Sequence, residues 1–147
     1  MRYLGLDLGS RTLGMALTDM TKTIASSYKV IRHNEEYDLL IDSIEEVVKD
    51  KNVEKIILGF PKNMDNSIGK KGQLSIEFKK KLEERLNIEV ILQDERLTTK
   101  QAENVLIKND TSRKKRKQVI DALAATIILQ SYLDKEGRWL WIKIHLQ

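Results

Sequence analysis

An aspartate set in an apolar strand is the residue of this chain with the clearest capacity for chemistry. Asp7 stands in Leu4-Gly5-Leu6-Asp7-Leu8-Gly9-Ser10-Arg11-Thr12-Leu13-Gly14. Strand side chains alternate faces, so Leu4, Leu6 and Leu8 share one face while Gly5, Asp7 and Gly9 share the other. The two glycines leave the carboxylate unobstructed. A buried carboxylate is costly unless something compensates it: a metal ion, a basic side chain or a ring of backbone donors. The plainer alternative is an Asp that hydrogen-bonds the turn after a short strand.

The rest of the composition narrows that choice. Cys is absent and only His33 and His145 are present. Disulfides and thiolate zinc sites are therefore excluded, a reducing cytosol fits, and a His-based metal site or serine triad is disfavoured. A catalytic metal here has to be held by carboxylates, which suits Mg²⁺ or Mn²⁺. The 147 residues, 41% hydrophobic and 33% charged, suit one domain with a substantial core. No stretch approaches the ~20 apolar residues of a membrane span, and the start lacks a signal-peptide layout. The expected location is cytoplasmic, with no membrane partner.

A formal charge of +4 permits a nucleic-acid partner without requiring one. Its distribution is more telling, because Arg113-Lys114-Lys115-Arg116-Lys117 places five positive charges in a row. Such a run is commonly a solvated face, and its meaning depends on what adjoins it.

The elements that must position these residues follow from periodicity. Tyr3 to Leu8, Leu13 to Thr18 and Ile24 to Ile31 read as strands with short polar spacers, an antiparallel meander. In Glu35 to Asp50, Leu40, Ile44, Val47 and Val48 recur at helical spacing. Lys55 to Phe60 is a continuous apolar run ended by Pro61, the mark of a strand buried on both faces. A second helix carries Leu74, Phe78, Leu82 and Leu86, and Ile88 to Gln93 is a fifth strand. Thr98 with Gln101 forms a capping box for a third helix. A last helix spans about Lys117 to Asp134. Arg138 to Gln147 reads as either a short extra strand or an amphipathic tail. The order βββαβαβαα predicts an α/β fold: a mixed five-stranded sheet, three antiparallel strands then two parallel ones, flanked by helices. Residues 1–134 form one domain and 135–147 a tail of unassigned role.

In such a sheet, sites form at the carboxyl ends of parallel strands. The fifth strand, parallel to the first, ends in Asp94-Glu95. Acids there can equally serve the dipole of the following helix, worth ~0.3–1 kcal/mol. Asp121 lies within Val119 to Leu129, a helix apolar almost all round. Asp is a poor helix former in that setting, so a salt bridge to Lys117 or a ligand must reward it. Three carboxylates from separate elements can hold one or two Mg²⁺ ions, and a pair ~3.5–4 Å apart can activate a water against a phosphodiester. The adjacent basic run would grip phosphates.

With these motifs in order, the chain resembles the YqgF/RuvX family of the RNase H-like superfamily. The resemblance rests on Asp7 to Gly14, Gly59-Phe60-Pro61 leading to Met64-Asp65-Asn66-Ser67, Asp94 to Thr99, and Asp121-Ala122-Leu123-Ala124-Ala125 followed by Ile128 to Leu133. It implies an RNase H-like sheet, metal-dependent cleavage, and processing of the 5′ end of pre-16S rRNA. The family's acidic positions fall on Asp7, Glu95 and Asp121, as catalytic residues and ligands of one or two Mg²⁺ or Mn²⁺ ions. Ser10 and Arg11 stand close enough to Asp7 to contact the scissile strand, Arg113, Lys114, Lys115 and Lys117 would bind phosphates, and Arg96 would orient Glu95 or Asp94. Asn66 stands where family members commonly carry Gly.

Three other readings compete. The same site on a two-fold dimer could resolve four-way DNA junctions, and a monomer that ignores such junctions would exclude that reading; the ribosomal small-subunit precursor is a further expected partner. The basic run alone would suit a non-catalytic nucleic-acid-binding factor. An actin-like ATPase shares the opening Asp-x-Gly but needs a second lobe, for which this chain is too short.

Overall fold

The computed structural model describes residues 1–63, 65, 67–94 and 113–145. Three strands open the chain: β1 (Arg2–Leu8), β2 (Thr12–Thr18) and β3 (Ala25–Arg32). They are followed by α1 (Tyr37–Asp50), β4 (Val53–Phe60), α2 (Lys70–Leu86), β5 (Glu89–Asp94) and α3 (Arg113–His145). The sheet order is β3-β2-β1-β4-β5. β1 pairs antiparallel with β2, and β2 with β3. β1 with β4 and β4 with β5 run parallel, so β1, β4 and β5 all end at the same side of the sheet. This is the mixed five-stranded sheet that the order of periodic segments predicts.

The two faces of the sheet have different covers. Leu4, Leu6, Leu13, Met15, Ile56, Leu58 and Val90 pack beneath α1 and α2, against Leu40, Ile41, Ile44, Val47, Phe78 and Leu82. Tyr3, Ala16 and Ile57 face the other way, against Ala125, Ile128, Leu129 and Leu133 of α3. The alternation along each strand thus divides one sheet between two apolar layers. α2 stops at Asn87 (φ 54°), and α1 is followed after Lys51 by Asn52 (φ 53°), both asparagines in left-handed geometry. Asn tolerates that region through its short polar side chain, which sets the sharp entry into β4 and β5.

α3 runs antiparallel to β1. Tyr3 meets Tyr132 edge-on at 6.0 Å between ring centroids, and its hydroxyl donates to Glu136 at 3.3 Å. Two residues further along β1, Gly5 lies against Ala125 and Leu129. α3 also ties down the edge strand. Ser27 and Thr126 hydroxyls pair at 2.8 Å, and the Ala25 N–H donates to the Gln130 Oε1 at 2.9 Å.

Two expectations change. The last helix is longer than the apolar periodicity marks, and residues 138–145 continue it instead of adding a strand. The cause lies at Glu136, beyond the apolar stripe. It accepts from the Tyr3 and Tyr132 hydroxyls, with Lys55 at 3.6 Å, so the helix is anchored past Asp134. The capping box at Thr98 and Gln101, the helix it predicts, and the Asn66 departure lie outside the described residues. Among the described residues no helix is long and apolar enough to cross a membrane.

Candidate active site at the ends of the parallel strands

Asp7 is half-buried near the carboxyl end of β1. Register sets which residues stand beside it in the sheet. Asp7 pairs with Gly14 on β2. On β4, Leu58 pairs with Leu6, which sets Gly59 beside Asp7 on the other flank. The row across the α3 face therefore reads Val30, Gly14, Asp7, Gly59, Gln93. Neither immediate neighbour has a side chain. Gly14 and Gly59 thus do the work that the alternation along the first strand assigns to Gly5 and Gly9. Gly5 instead admits α3, since a Cβ there would lie 2.8 Å from the Leu129 Cβ. Gly9 belongs to the turn, its N–H donating to the Thr12 carbonyl at 2.8 Å.

The fifth strand ends at the first of the two acids that the sequence offers there. Asp94 pairs with Phe60 and continues the alternation of Val90 and Leu92, on the α1/α2 side of the sheet. It therefore faces away from Asp7. Glu95 and Arg96 lie outside the described residues. Position 121 is on α3, one helical turn before Ala125. Tyr3 meets Tyr132 and Gly5 meets Ala125, so the antiparallel descent of α3 carries position 121 towards the level of Asp7. The steps match, at ~6.6 Å for two strand residues and ~5.4 Å for a helical turn. Its side chain lies outside the described residues.

Ser10 and Arg11 are exposed in the turn between β1 and β2. Arg113, Lys114, Lys115 and Lys117 form the start of α3, and their side chains too lie outside the described residues. Because α3 descends antiparallel to β1, this basic start points to the sheet end that carries Asp7. Two further residues at this end carry no mark in the sequence, and the motif residue Gly59 carries none as a neighbour of Asp7. Arg32 is exposed and pairs with Thr12, one row beyond Asp7 on the same face. His33 contacts the Gly9 carbonyl, and Gly59 flanks Asp7 from β4. Only the pairing register brings these positions together, and register over a distance leaves no mark in one sequence.

The surroundings suit a hard divalent cation. Asp7 supplies carboxylate oxygen between two glycines of the adjacent strands, and both ring nitrogens of His33 are already engaged. Among the described residues no three acids or histidines lie close enough to hold a metal. The set would be completed from positions outside them.

Comparison with known proteins agrees with this geometry. The RuvX family, described as a Holliday junction resolvase family, matches residues 1–135. A candidate pre-16S rRNA nuclease of Caldanaerobacter subterraneus is 53% identical over 137 residues, covering 92% of this chain and 98% of that protein. Its Bacillus subtilis counterpart, named in the same way, is 51% identical over 135 residues, 91% and 98% of the two chains. Among solved structures, Thermus thermophilus RuvC in complex with a Holliday junction substrate superposes with a TM-score of 0.58 at 16% identity, covering 93% of this chain and 96% of that one. The fowlpox virus resolvase, also with junction DNA, gives 0.57 at 18% identity, with 92% and 99% covered. These two likenesses show an RNase H-like fold. With half of its residues shared with relatives over nearly their whole length, the chain belongs to the RuvX family.

Proposed function

We propose that this protein is a metal-dependent endonuclease that hydrolyses phosphodiester bonds while the 5′ end of pre-16S rRNA is matured in the cytoplasm. The observation that carries this reading is Asp7, set between Gly14 and Gly59 at the end of the parallel strands. The names of the half-identical relatives support the RNA substrate. Asp7, Glu95 and Asp121 would hold one or two Mg²⁺ or Mn²⁺ ions, which when bound activate water and stabilise the leaving oxygen. The chain's other residues bind and orient the substrate. Ser10 and Arg11, in the exposed turn just after Asp7, reach the strand being cut. Arg113, Lys114, Lys115 and Lys117 hold flanking phosphates and fix its register without reading bases. The exposed Arg32 extends that basic surface across β3.

Incubating the protein with labelled RNA carrying the 5′ extension, and separately with a four-way DNA junction, tests the reading. Cleavage of the RNA alone, abolished by EDTA, is expected. The fold shared with two resolvases favours junction cleavage as the second reading. Cutting of the junction in paired strands by a homodimer would establish it, while a monomer suits the RNA substrate.

A further inference from the structure

The turn that follows Asp7 is held from a distance by one imidazole. His33, at the start of the β3–α1 connection, places its Nε2 2.9 Å from the Gly9 carbonyl oxygen. Its Nδ1 accepts from the Glu35 N–H at 3.1 Å. The Glu35 bond needs a bare Nδ1, so Nε2 carries the hydrogen and donates it to Gly9. The His33 backbone N–H donates to the Arg11 carbonyl at 2.9 Å. Gly9 and Arg11, which bracket Ser10, are thus both bonded to one residue of another segment.

That residue is itself fixed. The His33 ring packs against Tyr37 at 5.9 Å, and Tyr37 packs edge-on against Phe78 at 6.0 Å. Phe78 is fully buried beneath the sheet. Glu35 sits at φ 63°, the left-handed geometry that turns its N–H back onto the imidazole. A non-glycine residue there carries strain, which the surrounding contacts must outweigh. A continuous set of contacts therefore runs from the core through Tyr37 and His33 to the turn carrying Ser10 and Arg11.

We propose that His33 is a positioning residue for the Asp7 site. Its Nε2–H fixes the Gly9 carbonyl, and with it the exit of β1 after Asp7 and the placement of Ser10 and Arg11 against the bound strand. This rests on the reading of Asp7 as catalytic. A displacement of about 1 Å in such a site can lower turnover about a hundredfold.

Two substitutions separate the ring's two bonds. His33→Gln can reach the Gly9 carbonyl with its amide N–H and loses the Glu35 bond. His33→Asn keeps the Glu35 bond, as an Asx turn, and falls short of Gly9. Turnover on the 5′-extended RNA and hydrogen exchange at the Gly9 amide would be measured for both, beside wild type and Asp7→Asn. His33→Asn is expected to lower kcat about tenfold to a hundredfold with little change in KM and to speed Gly9 exchange. His33→Gln is expected to stay close to wild type in both. Wild-type kcat in His33→Asn, or equal losses in the two variants, would overturn the proposal. Faster Gly9 exchange in His33→Asn, with no cleavage even by wild type, would support the clamp and contradict the nuclease reading.

Discussion

Gly5 and Leu129 define how closely the last helix lies on the sheet. A Cβ at residue 5 would come 2.8 Å from the Leu129 Cβ and 3.0 Å from the Ala125 carbonyl oxygen. Glycine at this position is thus a condition for the docking of α3 along β1.

Gly5→Ala is expected to destabilise the fold by about 1–3 kcal/mol, the usual cost of overpacking a close-packed contact. Urea denaturation would measure it. Leu129→Ala on the same background should not recover it, because alanine keeps the Cβ that the new methyl group meets and the Ala125 carbonyl is backbone. Cleavage should fall as well, since the helix has to tilt or shift to admit the methyl group.

At the other end of the strands, Lys55 joins β4 to α3. Its ammonium donates to the Tyr132 hydroxyl at 3.1 Å and lies 3.6 Å from Glu136, while only 20% exposed. Burial pulls this ammonium's pKa down, but the Tyr132 hydroxyl, Tyr3 and Glu136 outweigh it and hold it above the ordinary lysine value. Lys55→Met is expected to cost about 1–3 kcal/mol by leaving Glu136 without its cation. It should spare cleavage at neutral pH once the protein is folded, because Lys55 stands at the amino-terminal side of the parallel strands.

Acid should weaken the hairpin between β2 and β3. The Asp19 carboxylate accepts from the Ile24 N–H, the Thr21 hydroxyl and the Thr23 N–H, which hold its pKa well below the ordinary carboxylate range. A depressed folded-state pKa gives stability that is fully present above the unfolded value, about 3.9, and is lost as pH falls below it. Asp19→Asn should therefore be less stable than wild type at pH 7. The gap should close as pH is lowered below about 4, as read from thermal unfolding across a pH series.

Much of this arrangement was legible in the sequence, and the remainder had physical reasons to be hidden. The alternation of Leu4, Leu6 and Leu8 and the apolar run Ile56–Phe60 are local patterns, so they reported their strands directly. Asp7 stood out because an acid interrupts such a pattern. Its glycine flanks did not, because Gly14 and Gly59 come beside it only through pairing with β2 and β4. The facing of Asp94 needed the phase of the β5 pleat, which sets it on the face of Leu92. The length of α3 depended on Glu136 and its tertiary partners Tyr3 and Lys55, to which helical periodicity is blind.

If the start of α3 grips phosphates, its charge should appear in the salt dependence of binding. Replacing Lys114 and Lys115 together by Gln should weaken RNA binding and flatten the plot of log K against log salt. The slope should fall by about 0.7 for each single-strand phosphate that the protein ceases to neutralise. An unchanged slope in a filter-binding series would remove these residues from the interface.

Asp7 as the catalytic carboxylate has one decisive comparison. Wild type and Asp7→Asn would be incubated side by side with Mg²⁺ and the 5′-extended rRNA precursor, with circular dichroism confirming that both are folded. Cleavage is expected from wild type and none from Asp7→Asn, with RNA binding retained. Equal cleavage by a folded Asp7→Asn protein would contradict that role for Asp7.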